Sequence, residues 1–313
     1  MTTNALQPAV VLLNPAAGGG RAVRRWRTMQ EIAAARFELR VVELDDSHSW
    51  EKVVRRSLRE GTRIFIGAGG DGTIGTLVDA LARLSGDCQL DSLTIGAIGL
   101  GSSNDFHKSA RATRGTPVRI GPERTVRDIC VARFETPRGR KCERHFIVSA
   151  SLGLVAEANE FFSSANLMQS WLRKSWTSGA ILFAAQRTFI RYRNIDAVLR
   201  LDGAAPLSLA ITNLSVSKTQ WVSGGFRYDT PVAPDDGLLA VNLCADMTHR
   251  ETAHALVDLS RGRFGNATGR RHWQVPSMQV TLNGPAALEL DGEVFSAQDV
   301  AFEILPQQIG VFA

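Results

Sequence analysis

The first regular feature of the chain is Ala9-Val10-Val11-Leu12-Leu13, an apolar run without polar alternation that stops at Asn14-Pro15. Such a run suits a strand covered on both faces, as in a parallel sheet. Helical spacing follows over about 22–35, then a strand over 37–44 and a helix over 49–59. The next segments read as a strand over 63–67, a helix over 74–84 and a strand over 93–98. This β-α-β-α order predicts a parallel sheet with helices on its faces.

From about Ile129 the rhythm changes. Short β-rich runs appear at 144–150, 196–201, 208–214, 238–243, 278–282 and 300–305. Turn signals at Asp202-Gly203, Gly224-Gly225, Asn283-Gly284 and Asp291-Gly292 separate them. Helical stretches over roughly 167–192 and 250–261 interrupt the series. The expected fold class is α/β with two domains: an N-terminal parallel-sheet nucleotide-binding α/β domain and a C-terminal mainly antiparallel β domain with helical insertions. The boundary is expected near 125–130, dividing 1–128 from 129–313, with packing of the extreme C-terminus back on the first domain left open.

A hydrophobic share of 44% and a charged share of 21% over 313 residues exclude a disordered or fibrous chain and allow two cores. The formal charge of +5 favours anionic partners without selecting among phosphates, acidic lipids and nucleic acid. Cys88, Cys130, Cys142 and Cys244 are widely spaced and form no Cys-x-x-Cys pair. A disulfide framework or zinc site is therefore not expected, and a reducing cytoplasm is the expected home. Met1 to Gln7 shows no signal-peptide pattern, and no apolar run reaches the length of a membrane span. A lipid substrate would have to be met from the water side.

Three glycine-rich loops each follow an expected strand of the first half: 14–21, 67–73 and 99–106. Glycine lets the backbone approach a phosphate closely and adopt positive φ while its N–H groups point at the anion. The helix after Thr73 adds a positive N-terminal end. A single glycine loop is equally well a tight strand-to-helix turn, but three at the carboxyl edge of one sheet point to a nucleotide-phosphate site. The P-loop pattern is not present.

Asn14-Pro15-Ala16-Ala17-Gly18, Gly69-Gly70-Asp71-Gly72-Thr73 and Gly101-Ser102-Ser103-Asn104-Asp105-Phe106 resemble three signatures of the diacylglycerol kinase catalytic family. That family includes bacterial soluble lipid kinases, sphingosine kinases and ceramide kinases, and it is distantly related to NAD kinases. In the second half, Gly224-Gly225 followed by Ala233-Pro234-Asp235-Asp236-Gly237-Leu238 resembles the family's stretch before its structural metal loop. Leu290-Asp291-Gly292-Glu293 resembles its C-terminal Asp-Gly-Glu. The match runs in register from about residue 10 to 305. The family commonly has Pro at Gly99, Thr at Ser102, Asn-Glu at Gly75-Thr76 and Ala at His107. Ser102 retains a hydroxyl for a phosphate or ribose contact, whereas Gly75 removes a polar side chain from an early helical turn.

The resemblance implies ATP and Mg²⁺ as cofactors and phosphorylation of a lipid alcohol in an interdomain cleft. It assigns the nucleotide to Asn14, Gly18, Gly69, Gly70, Asp71, Gly72, Thr73, Ser102, Asn104 and Asp105. Asp71 is expected to hold Mg²⁺ or to orient the acceptor hydroxyl. Glu293 is expected to be the proton acceptor and Asp291 its metal- or water-organising neighbour, with the roles exchangeable. The family's structural Mg²⁺ would take the Ala233 and Leu238 carbonyls and the Asp236 carboxylate, oxygen ligands that suit a hard cation.

Between Phe161 and Arg193 lie Arg173, Lys174, Arg187, Arg191 and Arg193, no acidic residue, and Trp171 and Trp176. An amphipathic helix of this kind suits an anionic membrane surface or a sheet-packed helix with a solvated side. The cluster Arg261, Arg263, Arg270 and Arg271 with Trp273 is accompanied by no nucleic-acid module, so no nucleic-acid partner is expected. A homodimer is left open. Two rival readings stand beside the lipid kinase: a kinase of a soluble alcohol such as NAD, and a non-catalytic nucleotide- or lipid-binding protein.

Overall fold

The apolar run from Ala9 to Leu13 is buried throughout and forms most of strand β1 (Gln7–Leu13). The computed structural model describes residues 6–44, 49–86, 89–108, 112–113, 115–163, 189, 191–265 and 267–313. By contacts the chain divides into residues 1–127 with 307–313, and residues 128–306.

In the first unit β1 is followed by α1 (Ala22–Ala34), β2 (Phe37–Glu43), α2 (Trp50–Arg59), β3 (Ile64–Gly69), α3 (Asp71–Leu84), β4 (Thr94–Gly99) and β5 (Thr116–Arg119). β1 pairs in parallel with β2 and β3, and β3 pairs in parallel with β4. β5 runs antiparallel to β4. The residues of β3 and β4 are all buried, which explains their continuous apolar and glycine composition. Helix α1 buries Ala22, Trp26, Met29 and Ala33, one face at three- and four-residue spacing. The chain returns here at its end: Gly310 and Val311 pair in parallel with Thr94 and Ile95, and Phe312 meets the Phe37 ring at 5.4 Å.

The second unit contains β6 (Arg124–Glu135, which enters from the first), β7 (Lys141–Phe146), β8 (Ser149–Gly153), α4 (Leu154–Ser163), β9 (Ile195–Leu201) and β10 (Leu207–Ser217). It continues with β11 (Trp221–Val222), β12 (Phe226–Arg227), β13 (Leu239–Ala245), α5 (His249–Ser260), β14 (Arg270–Val275), β15 (Ser277–Leu290) and β16 (Glu293–Phe312), the last of which ends in the first unit. Its pairs β14 with β13, β13 with β10, β10 with β9, β9 with β15 and β15 with β16 are antiparallel. β8 pairs with both β10 and β15. Phe146, Leu152, Leu214, Leu243, Leu288 and Phe302 are among the residues of its core. Helix α5 starts in a capping box, Thr248 accepting from Glu251 N–H and Glu251 accepting from Thr248 N–H.

Three elements depart from the sequence expectation. α3 begins at Asp71 rather than near residue 74, because Gly70 takes the N-cap position in extended backbone. The strand expected over 144–150 is split between β7 and β8, since the N–H groups of 147–149 go to a side chain instead of a ladder. The turn expected at Asn283-Gly284 lies inside β15, where the register with β16 shifts between Thr281 and Ala286 and Gly284 takes φ 120°. The expected tryptophan-rich helix over 167–192 falls outside the described residues except 189, 191 and 192.

Candidate functional site

The three glycine loops of the first unit interlock. β3 and β4 end side by side, Gly69 opposite Gly99, and the Leu100 N–H donates to the Gly69 carbonyl at 2.7 Å. A Cβ on Gly101 would lie 2.4 Å from the Gly70 Cα, and one on Gly69 would lie 2.1 Å from the Thr73 Oγ1. These positions admit only glycine without displacing their neighbours. The Asn14 side chain donates to the Thr73 hydroxyl at 3.1 Å, which joins the end of β1 to the first turn of α3. At the first loop, Gly18 has φ 60°, and a Cβ there would strike the Leu100 carbonyl. Arg25 donates to the carbonyls of Leu100 and Gly99 at 3.3 and 3.4 Å.

Asp71 ties the second loop to the third. Its Oδ1 accepts from the Phe106 N–H at 2.9 Å. Burial raises its pKa against the pull of the Phe106 and Asp105 amides and Lys108. Asn104, with φ 52°, exchanges hydrogen bonds with Gly101 at 3.1 Å and leads into a short turn that buries Asp105, Phe106 and His107. Ser102 is exposed. The unit therefore gathers Asn14, Gly18, Gly69, Gly70, Asp71, Gly72, Thr73, Ser102, Asn104 and Asp105 along one edge of its sheet. What it presents is a helix N-terminus lined by glycine, a site suited to anions.

Beneath this edge sits a cationic layer. The guanidinium groups of Arg127 and Arg119 lie 4.8 and 5.6 Å from the centre of the Phe106 ring. Arg119 also donates to the Phe106 carbonyl at 3.1 Å. Burial, followed by the charges of Arg119 and Arg127, pushes the His107 pKa down to about 3, and its Nδ1 has no hydrogen-bond partner.

In the second unit, Asp291 and Gly292 form the two-residue connection between β15 and β16, with φ of 48° and 94°. Positive φ at both positions is what a type I′ hairpin requires. The Asp291 carboxylate is buried and accepts from the N–H groups of Ile147, Val148 and Ser149 at 2.8–2.9 Å. Burial pushes its pKa up to about 8, with Glu289 adding to the rise and the three amides opposing it. A catalytic role was expected of Asp291. With both oxygens committed to backbone amides, it braces the turn that presents Glu293. Glu293 itself is exposed.

The loop expected to bind a structural metal does not fit one. Asp236 Oδ1 and the Leu238 carbonyl, two of the three expected ligands, both accept hydrogen bonds from the Lys218 ammonium, at 2.6 and 2.9 Å. The Ala233 N–H donates to Asp236 Oδ2 at 3.4 Å. Among the described residues no group of three or more His, Cys, Asp or Glu side chains is arranged to hold a metal ion. The sequence reading missed Lys218, whose signal is that it is the only charged residue between Gly203 and Arg227. In the basic cluster, Arg270 forms an ion pair with Asp258 at 2.9 Å.

Residues 8–129 match the diacylglycerol kinase catalytic domain, and residues 149–313 match the YegS C-terminal NAD kinase beta sandwich-like domain. A protein of Pseudomonas syringae pv. syringae (strain B728a) named "probable lipid kinase YegS-like" is 25% identical over 281 residues, covering 86% of this chain and 83% of its own. A protein of the same name from Xanthomonas euvesicatoria pv. vesicatoria (strain 85-10) is 25% identical over 293 residues, covering 88% and 89%. A diacylglycerol kinase crystal structure from Bacillus anthracis str. Sterne superposes with a TM-score of 0.66 at 15% identity, covering 99% and 98%. Yeast NADH kinase complexed with NADH gives a TM-score of 0.52 at 10% identity, covering 99% and 84%. The two structures share the fold. The chain belongs to the diacylglycerol kinase family, with a diacylglycerol kinase catalytic domain followed by a YegS-type C-terminal domain.

Proposed function

We propose that the chain transfers the γ-phosphoryl group of ATP to the hydroxyl of a lipid alcohol, of the diacylglycerol or sphingoid kind, presented at a membrane surface. The observation that carries this reading is the interlocked glycine edge, in which Gly69, Gly70 and Gly101 leave backbone and a helix N-terminus to face an anion. Phosphoryl transfer asks mainly for positioning and charge neutralisation. Gly70, Gly72 and the first turn of α3 hold the phosphates, and the Ser102 hydroxyl assists. The Asp71 carboxylate fixes the third loop and orients the Mg²⁺-nucleotide substrate. Glu293 takes the proton of the acceptor hydroxyl, and Asp291 keeps the turn that carries it in place. No helix among the described residues is long and apolar enough to cross a membrane; the proposed setting is the cytoplasmic face of the membrane.

The test is ATP-dependent phosphorylation measured over diacylglycerol, monoacylglycerol, sphingosine, ceramide, phosphatidylglycerol and NAD. Transfer to one of the lipids is expected. Transfer to NAD alone would replace this reading with a kinase of a soluble alcohol, and nucleotide binding without transfer would replace it with a binding protein.

A further inference from the structure

Lys218 follows the last residue of β10, and its side chain is only 1% exposed. Its ammonium lies 2.6 Å from Asp236 Oδ1, 2.9 Å from Asp128 Oδ2 and 2.9 Å from the Leu238 carbonyl. An ammonium has three donors, and here each has an oxygen acceptor. The acceptors are themselves held. The Gly237 N–H donates to Asp128 Oδ2 at 2.8 Å, the Leu238 N–H to Asp236 Oδ1 at 3.0 Å, and the Asp128 N–H to the Pro234 carbonyl at 2.8 Å. Burial alone would raise the Asp236 pKa, but the Lys218 ammonium and the Leu238 amide outweigh it and hold the carboxyl below its ordinary value.

We propose that the Lys218 ammonium closes the 233–238 loop in place of a bound divalent cation, so that this chain keeps the loop's architecture without a metal there. Oxygens at 2.6–2.9 Å around a nitrogen are at charge-assisted hydrogen-bond distance. Mg²⁺ requires oxygens at about 2.0–2.1 Å in an octahedron, and Ca²⁺ takes six or more at about 2.3–2.6 Å. A cation entering this loop would have to displace the ammonium from both carboxylates. Displacement would strand a buried charge, which costs more than an open metal loop can return. The proposal concerns the second unit alone and stands whether or not the chain is a lipid kinase.

The experiment uses the full chain free of nucleotide. Thermal unfolding is followed in EDTA and in millimolar MgCl₂ or CaCl₂, and Mn²⁺ binding is titrated by electron paramagnetic resonance. The wild-type Tm is expected to be the same in EDTA and in either salt, with no Mn²⁺ site that depends on Asp236. Lys218→Gly and Lys218→Met are each expected to lower the Tm by about 5–15 °C. Restoration of Lys218→Gly, but not Lys218→Met, by MgCl₂ would support the replacement most directly. A metal-dependent Tm rise or a Mn²⁺ site in the wild type, abolished in Asp236→Asn, would overturn it. So would either Lys218 variant being as stable as the wild type in EDTA. Should Lys218→Gly fail to fold, the wild-type titration and Lys218→Met still decide.

Discussion

Three buried or half-buried titratable side chains do different work, and each yields a separate test. Asp71 combines a hydrogen bond to the Phe106 amide with a place in the glycine loop. Asp71→Asn retains an acceptor for that amide and removes the charge. It is expected to stay folded and to lose at least about 100-fold in kcat/KM for phosphoryl transfer; near-normal turnover would leave Asp71 a latch between loops. Asp291 is the reverse case. Asp291→Asn turns an NH₂ toward one of the three amides and should cost about 1–3 kcal/mol of stability. Turnover per folded molecule should stay within a few-fold, and a collapse of kcat in fully folded protein would restore a catalytic role to Asp291.

His107 makes the residue-scale prediction about pH. Its folded pKa is depressed to about 3, because burial and the charges of Arg119 and Arg127 disfavour the imidazolium. The unfolded value is about 6.5. Between these values the unfolded state binds the extra proton, so stability is fully present above about pH 6.5 and falls as pH drops toward 3, by about 1.4 kcal/mol per unit. His107→Leu should flatten that acid branch by one proton in denaturant titrations at several pH values. An unchanged slope would show that His107 is not the group responsible.

At the scale of elements, the glycine edge depends on close approach between two loops. Gly101→Ala would place a methyl group 2.4 Å from the Gly70 Cα, backbone that cannot rotate away. The expected cost is about 1–3 kcal/mol of stability, with weaker ATP binding by calorimetry. Wild-type affinity would mean that the two loops can separate freely. The elements themselves were largely legible in sequence, because β3, β4 and the 9–13 run of β1 are buried throughout and read as largely apolar or glycine runs. The start of α3 was less legible, since Gly70 as N-cap offers no side-chain signal. The break between β7 and β8 was not legible at all. It arises because Asp291, 142–144 residues away, takes the amides that a continuous strand would have paired.

At the scale of the whole molecule, the last residues stabilise the unit in which the chain begins. Ile309, Val311 and Phe312 are buried, and Gly310 and Val311 extend the parallel sheet beside β4. Deleting 309–313 should destabilise the first unit by about 5 kcal/mol from the lost apolar burial. Hydrogen exchange should then be faster in β3 and β4. Protection there equal to the full chain would show that the terminal strand is dispensable.

What the sequence determined by itself was whatever repeats at short range: the change of rhythm near Ile129, the glycine loops after their strands, and the Asp291-Gly292 hairpin. These features depend on the periodicity of burial and on local φ preference, which neighbouring residues carry. Tertiary structure decided the direction of the carboxylates and the identity of the cation they meet. Asp236 is expected as a metal ligand only through the family resemblance of its loop. It becomes an ion-pair partner only because Lys218, 18 residues earlier, and Asp128, 90 residues before Lys218, converge on the same point. Hydrogen-bond partners far apart in sequence are chosen by packing, and burial makes the choice binding, because an unpaired charge inside the protein costs too much to persist.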